Sequence, residues 1–145
     1  MSDKKLTLRI ITPNKSEFNE PVDMVIMRCT TGDIGIMHGH EPRSVALDYG
    51  ILRMFGGGSE PDAERQLAVY GGLAQIKDNV LTVLTSDTEW PHEIDASNAH
   101  ETHQHLEQRL LDHTGDDEDS AEIIRRDQAQ LRRARLQIEL SEYSG

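Results

Sequence analysis

Residues 67–85 read LAVYGGLAQIKDNVLTVLT, two runs of long and β-branched apolar residues on either side of Lys77-Asp78-Asn79. A polar turn between two such runs predicts paired β-strands. The same grammar extends upstream. In LTLRIIT (6–12), Leu6, Leu8 and Ile10 alternate with Thr7 and Arg9, and VDMVIMRC (22–29) and GILRMF (50–55) follow. Turn signals stand at Thr12-Pro13-Asn14, Thr31-Gly32-Asp33, Gly56-Gly57-Gly58-Ser59 and Gly71-Gly72. Many short strands with turns about every 8–12 residues predict an antiparallel sandwich or barrel up to about Thr88.

After Trp90-Pro91 the period changes. Residues 92–113 place Ala99, Thr102, Leu106 and Leu110 at helical spacing. Gly115 reads as a helix stop, and Asp116–Asp119 as an acidic connection in which Asp119 or Ser120 can cap a second helix. Within residues 121–143, Ile124, Leu131 and Ile138 recur every seven residues with Ala134 alongside. Two thin apolar seams joined by a short polar loop predict an antiparallel helical hairpin. The expected organisation is α+β: a β domain over residues 1–90, then a helical domain over 91–145.

The chain has 145 residues, a net charge of −11 and 36% hydrophobic residues, and its mean hydropathy is −0.59. So acidic a chain is a poor partner for nucleic acid or an anionic membrane surface, both of which select Lys and Arg. Cys29 is the one cysteine, so no disulfide forms within the chain, and a reducing compartment fits. The opening MSDKKLTLRIITP lacks the apolar core of a signal peptide, and no apolar run reaches the ~18 residues of a membrane span. These features predict a soluble, cytoplasmic protein that can still dock on a membrane complex. Charge is uneven: residues 92–145 hold 6 basic side chains against 13 acidic ones. All six are arginines, and five of them are Arg125, Arg126, Arg132, Arg133 and Arg135.

Several stretches invite a chemical reading. GDIGIMHGHEP (32–42) offers His38 and His40 as metal ligands, but no third and fourth ligand follow at diagnostic spacing. A glycine-shaped connection with a capping imidazole is the better account. Gly56–Ser59 lacks the Gly-Lys-Ser/Thr ending of a phosphate loop, and a hairpin tip fits better. His100 and His103 share a helix face while His105 points elsewhere, which is the pattern of a solvated surface. Cys29 has no paired base, and no catalytic constellation emerges. The arginine rows 125/132 and 126/133 sit beside the apolar seam. Pairing with Glu122, Asp127 and Glu139 accounts for part of them; docking on an acidic protein surface or a phosphate accounts for the excess.

Taken in order, these stretches resemble the epsilon subunit of bacterial rotary F-type ATP synthases. The resemblance rests on I-x-T-P with E-x-F and P-V-D-x-V-I near the start, then GDIGIMHGHEP followed by ALDYGILRM. It continues through LAVYGGLAQIKDNVLTVLT and HEIDASNA, covering essentially the whole chain. It implies an N-terminal antiparallel β-sandwich with a C-terminal antiparallel two-helix hairpin, in a non-catalytic central-stalk subunit. Such a subunit couples ion-driven rotation of the c-ring to ATP synthesis. It is peripheral, on the cytoplasmic face of the cell membrane, with catalysis on other subunits. The implied partners are the gamma subunit and the c-ring, met by the sandwich through a loop carrying Asp33, Ile34, His38, His40, Glu41, Pro42 and Arg43. The alpha and beta subunits are met by Arg125, Arg126, Arg132, Arg133 and Arg135, through which the hairpin restrains ATP hydrolysis. The resemblance implies no metal and no nucleic-acid partner. Some relatives bind ATP through Ile/Leu-Asp-x-x-Arg-Ala; here Ile94, Asp95, Asn98 and Ala99 stand at those places. Asn98 replaces the arginine, removing a fixed charge for phosphate, so no cofactor is expected. The rival from another class is a free-standing β-sandwich protein-binding module with a regulatory helical tail, and a metal enzyme built on the histidines is a third.

Overall fold

The computed structural model describes residues 4–57, 63–112 and 118–143. The chain forms two compact units, Met1–Trp90 and Pro91–Gly145. Among the described residues of the first, eight strands follow one another: β1 Leu6–Ile11, β2 Phe18–Val22, β3 Met24–Cys29, β4 Gly32–Met37, β5 Arg43–Phe55, β6 Glu64–Lys77, β7 Val80–Leu84 and β8 Thr88–Glu89. They are hydrogen-bonded in the order β2-β1-β7-β6-β5-β3-β4, with β8 on β6. All these pairs are antiparallel except β1 with β7, which run parallel. The sandwich is therefore not antiparallel throughout, because β1 and β7 come from opposite ends of the domain and no hairpin links them.

One continuous sheet makes both layers. In β1 the apolar alternation does what the sequence suggests: Leu6, Leu8 and Ile10 are buried, and Thr7 and Arg9 are not. In β5 and β6 the alternation changes phase. Leu67 and Val69 point inward, then Ala74 and Ile76; opposite them, Leu52 is buried beside Leu67, and Leu47 is buried beside Gly72. The change falls at Gly71 and Gly72, whose φ values are 76° and 119°. At Gly72 a β-carbon would lie 2.0 Å from the Leu84 carbonyl oxygen, so backbone runs where a side chain would otherwise stand. Gly71-Gly72 does not end a strand as a turn pair would. It turns a 14-residue strand from one layer into the other, so β5 and β6 are longer than the turn spacing predicted.

The remaining turns are local. Asp78 and Asn79, with φ of 51° and 63°, connect β6 to β7 as a two-residue hairpin with Lys77 opposite Val80. The tip expected at Gly56–Ser59 begins with Gly56 and Gly57, both at φ 79°; Gly58 and Ser59 lie outside the described residues. Trp90 closes the unit, its ring 5.9 Å from that of Phe18 on β2. Arg65 Cζ lies 5.7 Å over the Phe18 ring, and its Nη1 donates to Glu20 at 2.8 Å.

The second unit opens with a 3-10 turn at Pro91–Glu93, followed by α1 Ala96–Asp112 and α2 Glu118–Tyr143. Helix α1 starts later than the periodic pattern because Asp95 caps it. Its carboxylate accepts the Asn98 N–H at 3.1 Å, and its carbonyl accepts the Ala99 N–H at 3.0 Å. Since α2 begins at Glu118, Asp119 and Ser120 lie inside its first turn instead of capping it. The expected stop at Gly115 and most of the Asp116–Asp119 connection lie outside the described residues. The seam also differs from the seven-residue pattern. Leu131 and Ala134 are buried beside Asp127, and Leu136 and Leu140 are buried on the opposite side of α2, whereas Ile124 and Ile138 are half-buried. A search for apolar repeats passes over a stripe that contains a carboxylate.

Candidate functional site

The stretch expected to act as one loop divides in two. Asp33 and Ile34 belong to β4, Arg43 opens β5, and only residues 38–42 form the connection. At about 3.3 Å per strand residue, Asp33 and His38 stand roughly 16 Å apart along the edge strand. Asp33 sits with the hairpin that joins β3 to β4, where Arg28 Nε lies 3.3 Å from its carboxylate and both side chains are more than half exposed. A pair so open to water contributes little stability.

The connection at the other end of β4 is held by backbone and amide groups. The His40 N–H donates to the Met37 carbonyl at 3.2 Å. Its Nδ1 lies 2.7 Å from the Glu41 carbonyl, so Nδ1 carries the proton. Asn79 ties this turn to two other elements: its side-chain oxygen accepts the Gly39 N–H at 2.7 Å, and its carbonyl accepts the Thr7 N–H at 2.9 Å. Gly39 adopts φ 86° there. His38, Glu41, Pro42 and Arg43 are exposed around this knot. Among the described residues no group of three His, Cys, Asp or Glu side chains is placed to hold a metal. The arrangement is a shaped surface. Behind it Cys29 is buried, and burial pushes its thiol pKa up; nearby Arg43 pulls it down and Asp33 adds to the rise.

The sandwich carries a feature that sequence reading missed. Past Gly72 the face of β6 is reversed, so Leu73 points outward with 59% of its surface exposed, and Leu84 beside it is 48% exposed. The register sets Ala46, Leu73, Leu84 and Ile11 in one row across β5, β6, β7 and β1. The next row on that face, Ser44, Gln75, Thr82 and Arg9, is polar. Met37, at the end of β4, is 58% exposed. An apolar row bordered by a polar one is the character of a protein-docking surface. The signal in the sequence was Gly71-Gly72 itself, since a change of phase there reverses which leucines are inside.

On the helices, Arg125, Arg126, Arg132 and Arg135 are exposed, and Arg133 is half-buried. They spread over about half the circumference of α2, wider than two rows beside the seam. Asp127 does not pair along its own helix as expected: its carboxylate lies 3.3 Å from Arg109 Nη2 on α1. Arg135 Nε lies 3.4 Å from His103 Nε2, and His103 also lies 3.7 Å from Glu107, so His103 belongs to a helix–helix contact and not to a purely solvated face. Of the residues resembling an ATP motif, Asp95 is engaged in capping and Ala99 is buried.

Comparison with known proteins agrees across the chain. Residues 5–91 match the family described as ATP synthase, Delta/Epsilon chain, beta-sandwich domain. The ATP synthase epsilon chain of Caldicellulosiruptor bescii is 34% identical over 93% of this chain and 92% of its own length. The chloroplastic epsilon chain of Spinacia oleracea is 35% identical over 94% and 95%. In a cryo-EM structure of the Euglena gracilis mitochondrial ATP synthase with its c-ring, one chain superposes with a TM-score of 0.73. It covers 99% of this chain and 85% of its own at 21% identity, which shows a shared fold.

Proposed function

The chain belongs to the ATP synthase delta/epsilon family and is a rotor-stalk subunit, and from that premise we propose that it clamps gamma to the c-ring and carries a brake on ATP hydrolysis. The observation that carries this reading is the near-complete match to epsilon chains, which spans both the sandwich and the helical unit. The protein is accessory: the catalytic sites lie on other subunits of the complex. It sits peripherally on the cytoplasmic face of the membrane, attached through its partners.

Each part has a physical rationale. A sandwich folded from one sheet and knotted by Asn79 is stiff enough to transmit torque. Its outward row of Ala46, Leu73, Leu84 and Ile11 suits an apolar surface of gamma. Asp33 and the His38–Arg43 turn, set at opposite ends of β4, provide two separate polar contacts, one toward the c-ring and one toward gamma. The exposed arginines of α2 suit acidic surfaces of the alpha and beta subunits, where paired guanidinium–carboxylate contacts are strong. The helices bury few large side chains, so two arrangements of similar free energy are accessible and a modest ligand or partner can shift between them. ATP is not part of this reading, because Asp95 is committed to its cap and Asn98 brings no charge.

The test is ATPase activity of the catalytic head with gamma, supplemented with either the full chain or a chain ending at Trp90. Both versions bind, and only the full chain slows hydrolysis. Replacing Arg125, Arg126, Arg132, Arg133 and Arg135 by Ala then relieves the inhibition. Equal activity with both versions would leave a rotor clamp without a brake. Failure of either version to bind would overturn the clamp itself.

A further inference from the structure

We propose that the ion pair between Arg109 and Asp127 is a polar latch that closes the helical hairpin and sets its register. The apolar seam between α1 and α2 is slight. On α1 it buries Ala99 and Leu106, and on the facing stripe of α2 it buries Leu131 and Ala134. Asp127, Leu131 and Ala134 stand at i, i+4 and i+7, so the carboxylate occupies a seam position that an apolar side chain would ordinarily fill. Its side chain is only 5% exposed, while that of Arg109 is 45% exposed. The arginine therefore reaches over the edge of the seam and covers a buried acid while keeping half of itself in water.

This geometry makes the pair selective. On the far side of the Leu106 and Leu131 layer, Arg135 meets His103, so two polar contacts bracket one apolar layer. A slide of one helical turn toward the start of α1 would bring Asp127 against His105 and Leu106, leaving it buried without its cation. A carboxylate stranded in that way is strongly unfavourable, whereas a matched pair roughly balances its own desolvation. The latch thus penalises wrong registers steeply and the correct closure hardly at all. Full separation returns both groups to water, so release is reversible. The regulatory meaning of the latch rests on the hairpin acting as a brake, and its existence does not.

The test uses the full chain with Cys29→Ala and spin labels on Gln104→Cys and Gln130→Cys, both exposed positions on the two helices. Inter-label distances and the thermal unfolding midpoint are measured together. The parent shows one narrow distance. Arg109→Met, which retains an apolar stem but removes the charge, raises the separated population by about tenfold or more. Arg109→Met with Asp127→Leu restores the narrow distance and lifts the midpoint to that of the parent or above. Parental distances in Arg109→Met would overturn the latch. So would a double variant as open as the single one, which would assign the effect to lost packing of the arginine. A chain that fails to inhibit ATPase leaves these distances as they are, so failure of the brake is read separately.

Discussion

Replacing both Leu73 and Leu84 by Ala tests the docking row with little risk to the fold. The two side chains are 59% and 48% exposed, together about one leucine's worth of surface facing water. Covering that much apolar surface with a partner is worth about 1.5–3 kcal/mol. At about 1.4 kcal/mol per decade, the double variant should bind gamma some 10- to 150-fold more weakly. Ordering costs at the interface are shared by parent and variant, so they cancel in this difference. The stability of the isolated chain changes little, because the truncated atoms were already in water. Isothermal titration of a gamma-containing head that lacks this subunit gives the affinity, and a thermal melt of the isolated chain gives the control. Gln75→Ala, on the adjacent polar row of the same face, shifts affinity less than about threefold. If the double leucine variant also falls within that range while melting like the parent, the row does not dock gamma.

Two further outcomes follow from the sandwich interior. Gly72→Ala meets both a φ of 119° and a β-carbon 2.0 Å from the Leu84 carbonyl, so it destabilises the domain by roughly 3 kcal/mol or more; a drop in melting midpoint of more than about ten degrees is the check. Cys29 holds its proton more tightly in the folded state than in the unfolded chain. The stability this contributes is therefore complete at neutral pH and is lost as pH rises past the ordinary thiol range; comparing melts of parent and Cys29→Ala up the alkaline range reads it, and the thiol stays slow toward alkylating reagents at neutral pH.

Much of the fold was legible because its causes are local. The alternation in β1 is written directly in Leu6, Leu8 and Ile10, and the Asp78–Asn79 turn in its own residue types. The change from strand to helix near Trp90 follows from a change of period. The candidate site was less legible. GDIGIMHGHEP looks like one loop, yet the four strand residues Ile34 to Met37 separate Asp33 from His38. The heptad of Ile124, Leu131 and Ile138 identified the second helix but not all of its buried side, because Asp127 occupies a seam position.

By itself the sequence determined two units and their order, strands then helices. Those properties depend on each residue and its near neighbours. Tertiary structure alone decided which leucines face outward and which carboxylate is buried. Leu73 is exposed because a glycine pair reverses the face of a long strand as it passes between layers. Asp127 is buried because Arg109, eighteen residues upstream on α1, covers it across the seam. Burial depends on what lies opposite, and the partner across a layer is not contained in local periodicity.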